Sequence, residues 1–189
     1  MNENEDHHGA PHVPLPELFV ALTSRWRRED GSLAFGISEA DLLAKGEITL
    51  RQWKELQHEL RARIEPLGIE VVKYDYLGHT WWCCRSLYPV PPELDEDEML
   101  FLATFLYAAG RGKKTPPKHP RAKVDALGSL LIDGGYVSKY AFDRTLRQLQ
   151  DKAYVRRSRS FVEAESRLLL EIPEENRAYL AEQVERLVV

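Results

Sequence analysis

An α+β, mostly helical fold in two successive domains is what this 189-residue sequence predicts. Three observations carry that prediction. A run of helices followed by a hairpin is legible twice. A stiff stretch, Tyr88-Pro-Val-Pro-Pro92, separates the two runs, because prolines fix φ and favour extended backbone. The charge also divides unevenly. The chain carries a net −4, yet between Arg111 and Arg159 thirteen Lys/Arg stand against four acids, an excess of nine positive charges, with thirteen negative in the remainder.

Residues 1–14 are polar and without period, which predicts a disordered tail. Its His7, His8 and His12 could grip a transition metal, and a flexible tail is the plainer alternative. Leu15–Arg28 then reads as a helix, with Leu18, Phe19, Leu22 and Trp26 at helical spacing. Ser32–Gly36 reads as a short extended piece. Ser38-Glu-Ala-Asp41 is a capping signature for a short helix that ends near Gly46, and Thr49-Leu-Arg-Gln52 opens a longer one with Trp53, Leu56, Leu60 and Ile64 on one face. Pro66-Leu67-Gly68 ends that helix. Ile69–Tyr74 and Thr80–Arg85 follow as strands around a turn at Leu77-Gly78-His79. Helix, strand, helix, helix, hairpin is the order of a winged helix, assigned to residues 15–88, with a linker over 89–94.

The second domain, 95–189, opens with Asp95-Glu-Asp-Glu98, acids that suit the positive end of a helix. Met99–Ala109 is apolar on nearly every side, so it must be buried or paired. Arg111–Pro120 is a basic, proline-broken loop. Val124–Ile132 is a short apolar segment closed by Gly134-Gly135. Ser138 caps a helix from Lys139 to Lys152 with Phe142, Leu146 and Leu149 facing inward. Ala153–Ser158 and Arg167–Ile172 are expected to form the second hairpin, and Pro173 starts a last helix, so this domain too reads as a winged helix.

The sequence offers little enzyme chemistry. It has no phosphate-binding glycine loop, no nucleophile elbow and no HExxH or Cys/His spacing, so a non-enzyme with no cofactor and no metal site is expected. Cys83 and Cys84 are adjacent and have no third cysteine to pair with, which suits a reducing, cytoplasmic compartment. No apolar run approaches a membrane span and no signal pattern opens the chain.

Two surfaces are candidates for binding. The basic face would engage double-stranded DNA through Lys139, Tyr140, Arg144, Arg147, Gln148 and Lys152 of the third helix, Arg156, Arg157 and Arg159 of the wing, and Lys113, Lys114, Lys118 and Arg121 of the loop. A solvated face is the alternative. The apolar candidates for a protein partner are Trp81 and Met99, Phe101, Leu102, Phe105 and Leu106. Trp81 and Trp82 are consecutive in a strand, so one faces away from its own core, and Trp81, which shares a face with Arg85, is the expected outward one. Packing of Trp81 on the linker or the second domain, and burial of Met99–Ala109 between the domains, are the alternatives.

Ile64-Glu-Pro-Leu-Gly-Ile-Glu-Val71, with the hairpin ending His79-Thr-Trp-Trp-Cys-Cys84, resembles the end of the first winged helix of the kleisin-interacting (kite) subunits of SMC complexes, the ScpB and MAGE-type proteins. Leu130-Leu-Ile-Asp-Gly-Gly-Tyr-Val-Ser138 is similar to the step that opens the second winged helix of MAGE domains. Leu106-Tyr-Ala-Ala-Gly-Arg-Gly-Lys113 departs from the ScpB pattern. The resemblance implies a homodimeric, nucleoid-associated subunit that binds a kleisin and so joins an SMC ATPase, organising chromosomes and touching DNA through the second winged helix. A winged-helix transcriptional regulator that reads an operator is the alternative function.

Overall fold

A computed structural model describes residues 15–27, 31–87, 93–112 and 117–188. The expected tail, the prolines of the linker and the loop lysines Lys113 and Lys114 lie outside them. The fold is α+β and mostly helical, with small antiparallel sheets. The described residues divide into two compact units. Residues 15–25, 35–73 and 78–87 form the first, and 26–27, 31–34, 74–77 and 93–188 form the second.

The first unit contains α1 (Leu15–Thr23). Two short strands, β1 (Arg25–Arg27) and β2 (Leu33–Phe35), pair with each other and, but for Arg25 and Phe35, count with the second unit. Then come β3 (Ile37–Ser38), α2 (Glu39–Gly46), α3 (Leu50–Ile64), β4 (Ile69–Tyr76), whose residues 74–76 count with the second unit, and β5 (His79–Ser86). The caps are those expected. The Ser38 hydroxyl accepts from the Asp41 N–H at 3.1 Å, and Thr49 and Gln52 close a capping box on α3. The β4–β5 turn places Leu77 at φ 50° and Gly78 at φ 77°, the two positive values of a type I′ hairpin turn. β3 pairs with β5, and β5 with β4. Leu18, Leu22, Leu42, Trp53, Leu60, Val71 and Trp82 form the core, where the Trp53 and Trp82 rings meet edge to face at 5.3 Å.

Helix α1 is shorter than the spacing predicts. The hydroxyls of Thr23 and Ser24 reach back to the carbonyls of Phe19 and Val20, at 2.9 and 2.6 Å, and the chain leaves the helix there. Trp26 therefore joins β1 and is exposed instead of continuing the apolar stripe.

The second unit runs α4 (Glu96–Gly110), β6 (Arg121–Lys123), α5 (Val124–Gly128) with a π-helical turn over Ser129–Asp133, α6 (Lys139–Asp151), β7 (Val155–Ser158), β8 (Phe161–Ala164), α7 (Ser166–Glu171) and α8 (Glu174–Val188). Here too the first strand pairs with the third and the third with the second, in the order β6-β8-β7. Each unit therefore repeats one winged-helix-like order of helices and strands with one sheet topology. Asp95 and Glu98 form a capping box on α4.

β6 was not foreseen, because Arg-Ala-Lys has one small apolar residue and no alternation to read; its pairing with β8, Ala122 opposite Val162, makes it a strand. The second wing strand is Phe161–Ala164, not Arg167–Ile172. The turn between β7 and β8 is Arg159-Ser160, with Arg159 at φ 48°, and it carries no glycine or asparagine to announce it. Arg167–Ile172 lies mostly in α7, whose Ile172 N–H bonds the Leu168 carbonyl at 3.0 Å.

On α4 the expected partner surface is mostly buried. Phe101, Leu102, Phe105 and Leu106 are fully or almost fully buried, and Met99 is half-buried. The helix packs against α5, α6, α8 and β6 of its own unit, which is why it is apolar all round. Phe101, Leu102, Phe105 and Leu106 thus belong to the core and present no surface to a partner, whereas Met99 is not one of the core residues.

Within the second unit a polar cluster is also buried. Glu165, 4% exposed, accepts from the Tyr76 hydroxyl and from the Leu33 N–H at 3.3 Å, while the Ser166 hydroxyl donates to the Leu33 carbonyl. Burial, then the bond to Glu165, pushes the Tyr76 phenol well above its ordinary value. The cluster satisfies polar atoms of residues far apart in sequence, so it fixes where these segments lie within the unit.

Candidate nucleic-acid interface

Helix α6 begins where the Ser138 hydroxyl accepts the Ala141 N–H at 3.1 Å. Phe142, Thr145, Leu146 and Leu149 then fall on one face and are buried. Lys139, Tyr140, Asp143, Arg144 and Arg147 fall on the other and are exposed, Tyr140 to 78%. Tyr140, Asp143, Arg144, Arg147, Gln148 and Asp151 line a shallow hollow of about 330 Å³ along this face. The wing adds Arg157 and Arg159, both exposed. Side chains of phosphate-binding type and one accessible aromatic ring thus share one helix and one hairpin.

The cations are less free than the sequence suggests. Arg144 meets Asp97 at 2.9 Å, and Arg157 lies 4.0 Å from Asp143. Glu163 takes both Arg121, at 3.0 Å, and Arg156, at 2.9 Å. Arg156 also lies 3.7 Å from the buried Glu165, and the Arg121 guanidinium stacks 3.8 Å from the centre of the Phe161 ring. The Lys152 ammonium bonds the Glu98 carboxylate at 2.7 Å and the Glu93 carbonyl at 2.6 Å. Lys118 is exposed, and its carbonyl accepts from Arg177 at 3.4 Å.

Lys139, Arg147 and Arg159 have no ion-pair partner among the described residues. With Lys118, Tyr140 and Gln148 they are the described part of the expected DNA surface that no acid engages. Arg121 and Arg156 are engaged by Glu163, and Lys152 by the buried Glu98. Four of the neutralising acids, Asp97, Glu98, Glu163 and Glu165, lie outside the basic stretch of residues 111–159. The signal for Glu163 was present: once the wing turn is placed at Arg159-Ser160, it stands directly opposite Arg156 across the hairpin.

Trp81 is not an outward anchor. It is 7% exposed and Trp82 is 9% exposed, so neither tryptophan of the strand is presented to solvent. Trp82 faces the first unit's core and donates its indole N–H to Glu39 at 2.9 Å, whereas the Trp81 indole N–H is buried without an acceptor among the described residues. Arg85, the outward neighbour used to orient Trp81, forms a 2.7 Å pair with Glu70 at the far end of the strand, where alternation no longer reports burial. Beside Trp82, burial raises the Cys83 thiol to about 12 and that of Cys84 to about 11, so both are protonated at neutral pH and poor nucleophiles. No helix among the described residues is long and apolar enough to cross a membrane, and His7, His8 and His12 lie outside them.

No family model and no curated protein matches the chain. Among solved structures, one titled "Nse1-Nse3-Nse4 complex" is similar at 10% sequence identity and a TM-score of 0.49, over 94% of this chain and 77% of that one.

Proposed function

We propose that this protein is a non-enzymatic subunit of a chromosome-organising SMC–kleisin complex and that its second unit touches the DNA backbone. The observation that carries the DNA contact is that Lys139 and Arg147 of α6 and Arg159 of the following hairpin, with Tyr140, are exposed and without an ion-pair partner among the described residues of a winged-helix-like unit. The repeated topology and the sequence resemblance to kite subunits support the architectural role, with a kleisin, an SMC ATPase and a second copy of the chain as partners. The apolar side chains that stand out from the first unit, Val20, Leu50 and Leu67, are where a protein partner is to be sought, now that α4 and Trp81 are buried.

Two measurements test this. Retention of an SMC ATPase and a kleisin-sized protein on the tagged chain in high salt is the expected result, because salt strips DNA-bridged passengers and leaves apolar contacts. Recovery of the chain alone would remove the SMC assignment. For DNA, fluorescence anisotropy on unrelated duplexes is expected to give similar affinities and a steep salt dependence. Arg147→Ala should weaken binding to all of them alike and reduce the slope of log K against log salt by about 1. One strongly preferred duplex would instead point to a regulator that reads an operator, and would overturn the backbone reading.

A further inference from the structure

The cations of the DNA face differ in what they must give up to reach a phosphate. Arg147 and Lys139 have no acid partner among the described residues, whereas Arg144 is held by Asp97 from the first turn of α4, at 2.9 Å. Arg157 of the wing sits 4.0 Å from Asp143 on α6. In both pairs the acid and the arginine are about half exposed, so the arginine can exchange a carboxylate for a phosphate without unfolding anything. Asp151 lines the same hollow as Asp143 and has no ion-pair partner among the described residues, so it contributes only its charge.

Resting on the reading that this face contacts DNA, we propose that Asp97, and more weakly Asp143, set the affinity of the site by competing with phosphate for Arg144 and Arg157. An arginine already paired contributes little to binding, because the gain on meeting phosphate is offset by the pair that is lost. The cation most engaged by its acid, Arg144, is also the one on the outward face of α6 between Tyr140 and Arg147. The guard therefore falls on the helix that would otherwise lie deepest against a duplex. The face is thus a modest, phosphate-directed contact, and tighter engagement requires that these two acids be displaced.

The test is duplex binding over a salt series for the full-length chain and its Asp97→Asn, Asp143→Asn and Asp151→Asn variants, each with one negative charge removed. Asp97→Asn is expected to bind about two- to fivefold tighter, with the salt slope steeper by about 0.9 for the freed arginine. Asp143→Asn should do so to a smaller degree, and Asp151→Asn should leave the slope unchanged. In an Arg144→Gln background, Asp97→Asn should have no effect beyond that of Asp151→Asn, a control that holds even if the single variant perturbs α4. If Asp97→Asn and Asp151→Asn behave alike while the parent binds DNA, the guard is overturned and the DNA contact stands. If neither the parent nor any variant binds DNA, both are overturned.

Discussion

Replacing Gly36 with alanine is expected to destabilise the first unit by about 3 kcal/mol or more. Gly36 joins β2 to β3 with φ at +80°, and its N–H bonds the Ser24 carbonyl at 2.8 Å. A Cβ there would lie 1.9 Å from the Trp82 carbonyl oxygen, 2.6 Å from the Cys83 Cβ and 2.8 Å from its Cα. These neighbours are mostly backbone and cannot swing aside, so β3 and β5 would have to part at the pair Ile37–Trp82. Trp82 would then lose its seat against Trp53 and its bond to Glu39. Urea denaturation should register the loss as a lower midpoint, and hydrogen exchange should accelerate first along β5. Gly78→Ala is the control: it also has positive φ, at 77°, but nothing lies within 4 Å of its added Cβ, so about 1 kcal/mol is expected. Equal effects at the two sites would show that close approach at Gly36 does not matter.

Replacing Lys152 with methionine is expected to cost the second unit about 3 kcal/mol, and to change DNA binding far less than Arg147→Ala does. Glu98 is completely buried at the start of α4. One of its oxygens accepts the Asp95 N–H at 2.8 Å and the Lys152 ammonium at 2.7 Å, and the other has no partner among the described residues. Without Lys152, a carboxylate remains in a low-dielectric core with a single hydrogen bond. Methionine keeps the apolar stem and removes the charge. Adding Glu98→Gln should recover part of the loss, because the uncompensated charge disappears. Both unfolding midpoints are readily measured by circular dichroism. A Lys152→Met protein as stable as the parent but with weakened DNA binding would return Lys152 to the interface and contradict the role described here.

Capping residues act within one turn of backbone, so Ser38, Thr49 and Ser138 could be identified from their neighbours alone, and the starts they predict are present, whereas α4 begins at Glu96, three residues before the expected Met99. The inward face of α6 was legible for the same reason: a period of 3.6 is a local property. The Leu77-Gly78 turn carried its own signal, whereas Arg159-Ser160 did not, and the second wing strand was misplaced with it. In the second hairpin a run of leucines at 168–170 was equally compatible with a buried strand and a buried helix. Leu15–Arg28 kept its apolar spacing as far as Trp26, but two hydroxyls that bond backward stop the helix at Thr23.

The candidate site divides along the same line. Its location on α6 and the wing, the outward direction of Lys139, Tyr140 and Arg147, and the local excess of positive charge are properties of sequence, because they follow from helical phase and composition. Which cations remain available is a property of tertiary structure. Coulombic pairing depends on distance in space, and Asp97 and Glu98 come to α6 from a helix more than forty residues earlier, while Glu163 reaches Arg121 and Arg156 across strands. The same holds for Trp81 and α4. Their apolar character was plain in the sequence, but whether an apolar side chain meets a partner or its own core depends on what packs against it, and only the fold decides that.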